Sequence, residues 1–141
     1  MKIDLSAVNW AAVAVAAVAS FMLGGAWYSA IFGKLWMRLQ GYTEEKVAEM
    51  KAKMSPAKFL GGMFAACGVL AVAVSFLAIA LDLKGPAAGA CLGSILWMGP
   101  AASIGFQVHL ASTRHHGIFA IDTSYQLVLL VMQGVIIASW R

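Results

Sequence analysis

Asp122 is the residue of this chain best placed to do chemistry. It lies about four residues inside a long apolar run, about 6 Å from the run's polar end at a rise of ~1.5 Å per residue. An ionisable group at the centre of a bilayer costs about 2.5–3.5 kcal/mol even on insertion scales, so such groups are kept where they act. Tyr125, Gln126 and Gln133 follow Asp122 at offsets of three, four and eleven positions. On a helix these offsets draw a polar stripe descending from the carboxylate toward mid-membrane. Gln107 and His109 near the end of the preceding run, and Tyr28, Ser29 and Lys34 near the end of the first, reach a similar depth if neighbouring helices are antiparallel. Asp122 is expected to pair with Lys34 or His109, which would satisfy its oxygens. Such a layer serves as an interhelical clamp, as a proton or solute site, or in binding a partner.

Other chemistry is thinly represented. Pro100, in the middle of the third run beside Trp97 and Gly99, removes one backbone hydrogen bond and frees the carbonyl of Leu96, so a kink is expected there. Broken helices at the midplane bind substrate in transporters, whereas isolated prolines simply bend the helix. His115 and His116 are adjacent in a tight loop, without helical ligand spacing and without a nearby Cys or carboxylate, so no metal site and no cofactor is expected. Cys67 and Cys91 lie in the second and third runs, about 22 Å and about 7 Å from the same end of antiparallel helices. That offset forbids a disulfide between them within one chain and makes both small packing residues. A serine nucleophile with a base, a phosphate-cradling glycine loop after a strand and a pair of intramembrane carboxylates are all missing from the sequence, and no enzyme is expected.

The elements that must position these groups are four apolar runs, at about 8–32, 59–83, 87–110 and 118–140, each long enough to cross a bilayer as a helix of about 20 residues. With 62% hydrophobic and only 11% charged residues in 141, the chain lies far from the soluble average of about 25% charged. One transmembrane domain, 1–141, accounts for all of it. The fold class expected is all-α: an integral membrane four-helix bundle with antiparallel neighbours, since the links between consecutive spans after the first are short. Lys2 and the apolar stretch after it resemble a secretory signal, but the run continues too far, and a retained first helix is expected. The longer 33–58 loop reads as a short helix from Thr43 to Met54, capped by Thr43, with Glu44 and Glu45 at its positive end and Lys51 and Lys53 at its negative end. It either lies on the membrane surface or is a solvated connector. Ser55-Pro56 opens the second span and Lys84-Gly85-Pro86 turns into the third.

Lys34, Arg38, Lys46, Lys51, Lys53, Lys58 and Arg114 gather at one end, against Lys2, Lys84 and Arg141 at the other. The positive-inside rule places the 33–58 loop in the cytoplasm and both termini outside, in the plasma (inner) membrane. The net charge of +4 is then a topology signal and a contact for anionic headgroups, and no nucleic acid is expected as a partner. Gly61, Ala65, Gly68, Val72, Ser75 and Ile79 on the second span, and Gly89 and Gly93 on the third, form small-residue faces that let helices approach closely. These faces meet within the chain or between chains; the partners expected are the lipid bilayer and a second copy, as a homodimer, or another membrane protein.

Two stretches carry a family resemblance. Asn9-Trp10 through Leu23-Gly24, Trp27-Tyr28-Ser29, Phe32-Gly33-Lys34 and Trp36-Met37 resemble the opening of the domain of unknown function 1761 family. Gly89 to Gly93, Leu96-Trp97-Met98-Gly99, Phe119 to Asp122 with Tyr125, then Met132, Gly134 and Trp140 resemble its later helices, with Gln133 before Gly134 as a departure. The resemblance implies a multi-spanning membrane protein with no assigned activity, so it carries over no catalytic residue. The function expected is that of a structural or accessory bundle that associates with itself, lipid or another membrane protein. The alternative is a small transporter or channel subunit using Asp122 and His109.

Overall fold

The computed structural model describes residues 5–141; Lys2, counted above among the cations, lies outside them. The chain is an all-α integral membrane bundle. Helix α1 (Trp10–Ala26) runs through a wide turn (Trp27–Ile31) into α2 (Gly33–Leu39). The loop helix α3 (Glu44–Lys53) leads to α4 (Pro56–Ala80), α5 (Pro86–Leu96), a second wide turn (Trp97–Ala101), α6 (Ala102–Ala111) and α7 (His116–Ser139). Four stretches are long and apolar enough to cross a membrane: Trp10–Ile31, Pro56–Ala80, Pro86–Ala111 and His116–Ser139.

Local chemistry sets most of the boundaries. Asn9 caps α1 by accepting from the Ala12 N–H at 3.1 Å, Thr43 caps α3 through the Lys46 N–H, and Ser55 with Pro56 opens α4. Gly85, at φ +83°, makes the turn into α5 in a conformation that L side chains rarely adopt.

The packing is organised around α7. Helix α5 lies against it along its length, α1 packs on both α4 and α7, and α4 meets chiefly α1 and α7. The α5–α7 crossing is backbone on backbone: a Cβ on Gly89 would fall onto the carbonyl of Gly134, one on Gly93 onto that of Leu130, and one on Gly134 onto that of Gly89. The small-residue face of α5 is thus spent inside the chain. On α4 the outcome differs from the expectation, because Gly61 and Gly68 have nothing within 4 Å of a would-be Cβ. For Gly61 the reason is the course of α4, whose residues 56–66 are all exposed and which joins the core only from Cys67 onward, through Ala71, Val74, Ser75 and Ala78; Gly68 instead borders a surface hollow beside Val13 and Ala17 of α1.

The end that carries the termini is fastened by polar groups. Asn9 Nδ2 donates to the Trp140 carbonyl at 3.0 Å, the Gly85 N–H donates to the Ala138 carbonyl at 2.8 Å, and Arg141 donates to the carbonyls of Ala78 and Leu83. Midway along the bundle Gln133 is wholly buried, donating to Ser20 Oγ at 2.8 Å and to the Cys67 carbonyl at 3.2 Å. At the opposite end, where α3 and the α6–α7 connection lie, no hydrogen bond ties residues 56–66 of α4 to another spanning helix among the described residues. Cys67 and Cys91 are both free thiols, the first buried and the second exposed on the outer side of α5.

Candidate functional site

Asp122, on the second turn of α7, is reached from the wide turn after α1 and from α2 by two aromatic donors. Tyr28 Oη donates to Asp122 Oδ1 at 2.8 Å and Trp36 Nε1 donates to the same oxygen at 3.2 Å. The wide turn at Trp27–Ile31 makes this possible: the Phe32 N–H bonds to the Trp27 carbonyl five residues back, at 2.8 Å, which adds a residue to the turn. Gly33 then passes so close to the Tyr28 carbonyl that a Cβ there would sit 2.7 Å from it. The rings support one another, with Tyr28 at 5.8 Å from Trp36 and 5.2 Å from Tyr125 between centroids. Trp27 adds a bond from Nε1 to the Ile121 carbonyl at 3.3 Å. Both side-chain donors go to Oδ1, so Oδ2 has no hydrogen-bond partner, and no cation lies within ion-pair distance of the carboxylate among the described residues.

The pairing of Asp122 with Lys34 or His109 is therefore corrected. Beyond the widened turn Trp36 faces α7, while Lys34 is exposed and borders a surface hollow with Met37, Arg38, Tyr42, Glu44 and Lys51. His109 is buried and is bound instead by His116 at the start of α7, Nε2 to Nδ1 at 2.7 Å, with its ring stacked on Phe119 at 5.2 Å. Gln107 lies two residues, or about 200°, around α6 from His109 and is exposed, outside the layer.

Beside Asp122 opens a wedge-shaped cleft of about 570 Å³. Its floor is α7, one wall is α4 and the other is α5–α6. Leu70, Val74 and Leu77 of α4 with Leu96 and Leu130 line its apolar part, and His109, Ser112 and Arg114 line its mouth. Asp122, Thr123 and Gln126 lie along the floor between. Gln126 Oε1 is buried without a hydrogen-bond partner. The stripe expected from Asp122 to Gln133 is thus divided: Gln126 faces the cleft, while Gln133 is covered where α4 rejoins the core. The kink expected at Pro100 takes the form of the second wide turn, in which the Ala102 N–H bonds to the Trp97 carbonyl. Pro100 and Ala101 then line the cleft, and Trp97 fastens the turn to α7 through Nε1 bonds to the Thr123 carbonyl at 2.8 Å and Oγ1 at 3.2 Å.

Two residues of the site escape reasoning from sequence. Trp36 reads as an interfacial aromatic, and its role as a donor follows only once the wide turn is known. His116 reads as half of a loop doublet, although its spacing of seven from His109 across a short connection is the signal that they meet. No group of three or more His, Cys, Asp or Glu suited to a metal occurs among the described residues. The arrangement provides a hydrogen-bonded carboxylate with one free oxygen, an unpaired amide carbonyl and an adjoining apolar space.

No curated protein and no solved structure matches the chain. The family described as Protein of unknown function (DUF1761) matches over residues 11–138, nearly the whole length, and the chain belongs to that family.

Proposed function

We propose that this protein is an accessory bundle that works by association inside the bilayer, receiving a small amphipathic molecule from the membrane in the cleft between α4 and α5–α6. The observation that carries this reading is the cleft itself, an apolar wedge that runs to the polar groups around Asp122. Its size falls in the range of small-molecule sites, which are mostly apolar with a few placed polar groups. The fastening at Gln133 and at the chain ends favours holding a ligand over conducting one. No enzymatic step is part of this reading. The loop end, with its seven cations, faces the cytoplasm of the plasma membrane, and the exposed Phe59, Leu60, Met63 and Phe64 of α4 offer a contact for lipid, a second copy or another membrane protein.

The test is native mass spectrometry of protein extracted in mild detergent. One small molecule per chain is expected to be retained by the wild type and lost from Ala73→Trp, which fills the cleft from an exposed position on its wall. Identical spectra without adduct from both would sink the reading. A small transporter is the second reading, favoured by the free oxygen of Asp122 beside the cleft; equal liposome flux from wild type and Asp122→Asn would count against it.

A further inference from the structure

We propose that the cleft takes a monovalent organic cation with an apolar body, its ammonium group donating to Asp122 Oδ2 and Gln126 Oε1. The inference rests on the reading of the cleft as a ligand site and adds the chemistry of the ligand.

Two residues that line one apolar space each have an oxygen without a donor among the described residues, Oδ2 of Asp122 and the buried Oε1 of Gln126. They stand four residues apart on one face of α7, where Cβ atoms are about 5–6 Å apart, within the span of one ammonium group and its three N–H donors. A buried acceptor without a partner is costly, and a carboxylate beside an apolar space is more so, which favours a ligand that brings both donors and positive charge. Phe119 also lines the cleft, with its ring stacked on His109.

The other charged and titratable groups lining the cleft are consistent with this choice. Arg114 stands at the mouth, before the start of α7, and is exposed, so its guanidinium is free to turn to water or headgroups. His109 is engaged by His116 and Phe119. An anionic amphiphile held by Arg114 would leave both orphan oxygens unpaired and bring like charge toward Asp122. The apolar wall formed by Leu70, Val74, Leu77, Leu96 and Leu130 accommodates an alkyl or aryl body.

The experiment compares three probes of one chain length, decylammonium, decanol and decanoate, by calorimetric titration into the protein in phosphatidylcholine nanodiscs, with empty nanodiscs subtracted. Decylammonium is expected to bind saturably at one per chain, about tenfold or more tighter than decanol. Asp122→Asn, which keeps an oxygen for Tyr28 and Trp36, is expected to remove that preference, and Ala73→Trp to remove binding of both. Retention of the preference in Asp122→Asn overturns the proposal. So does equal binding of ammonium and alcohol, or tighter binding of decanoate that is lost in Arg114→Ala; in either case the cleft survives as a ligand site with other chemistry. Absence of saturable binding by all three probes overturns the proposal and the cleft reading with it. If Asp122→Asn does not fold, Gln126→Leu decides: a loss of about threefold or more in ammonium affinity with decanol unchanged supports the proposal, and an unchanged ammonium affinity overturns it.

Discussion

From mid-bundle to the end that carries the termini, Gln133 reaches Ser20 and Cys67, Gly89 and Gly93 bring α5 against the backbone of α7, and Arg141 and Asn9 fasten the chain ends to neighbouring carbonyls. At the loop end α4 has left the core, residues 56–66 are uncovered, and a cleft stands where a fourth helix would close the bundle. The two ends are made of similar residues, since small, apolar and amide side chains occur at both. What differs is whether a facing backbone is present to meet them. Lipid gives helices no hydrophobic reason to associate, so packing in this bundle depends on close backbone approach and on satisfied polar groups. The closed end has the close approach and, Gln133 Oε1 apart, partnered polar groups. At the open end α4 makes no such approach, and Asp122 and Gln126 keep vacant positions, an arrangement suited to a site more than to a core.

The sharpest way to break this contrast is to put one side chain at a glycine of each end. Gly93→Leu must push α5 off α7, because even a Cβ there overlaps the Leu130 carbonyl. A loss of about 3 kcal/mol or more is expected, seen as aggregation or a large fall in melting temperature in detergent. Gly61→Leu meets nothing within 4 Å and gives a helix former for a glycine, so melting is expected to be unchanged or raised by up to about 1 kcal/mol. A comparable loss from Gly61→Leu would mean that a second copy or another chain covers α4, and the open end would then be an interface.

The next effect tests the border between the two regions, where α1, α2 and α7 meet. Asp122→Ala strands the Tyr28 hydroxyl and the Trp36 indole N–H, and a loss of about 2 kcal/mol is expected in the same melting assay. Lys34→Ala, at an exposed position away from the carboxylate, is expected to change stability by less than about 0.5 kcal/mol. Equal effects from the two would return Lys34 to the carboxylate's company and remove the free oxygen on which the cation inference stands.

Much of this architecture is legible in the residues themselves. The four spans follow from hydropathy, the starts of α3, α4 and α5 follow from Thr43, Ser55-Pro56 and Gly85-Pro86, and the close approach of α5 follows from the Gly89 and Gly93 spacing. The site is legible in its members more than in its bonds. Tyr28 and Asp122 can be placed at one depth by counting rise along antiparallel helices. Choosing Trp36 over Lys34 as the second partner needs the orientation of α2, and a single residue added at the Trp27–Ile31 turn resets it. The divergence of α4 is invisible for a related reason. Gly61 and Gly68 have the periodicity of a packing face, and periodicity identifies a face without saying what stands opposite.

The smallest expected effect sharpens the comparison from the closed side. Gln133 is wholly buried and donates from Nε2, but its Oε1 has no partner, so the amide gains two bonds and leaves one oxygen unsatisfied. Hydrogen bonds between membrane helices average about 0.6 kcal/mol, and an unsatisfied buried oxygen costs about 1–3 kcal/mol, so the two terms nearly cancel. Gln133→Met, similar in shape and without the orphan oxygen, is expected to melt within about 1 kcal/mol of wild type. Gln133→Ala, which opens a cavity, should lose about 2 kcal/mol or more. If Gln133→Met is instead as damaging as Gln133→Ala, the amide is specifying the packing of α1, α4 and α7, and the closed end depends on a polar bond as strongly as the open end does on Asp122.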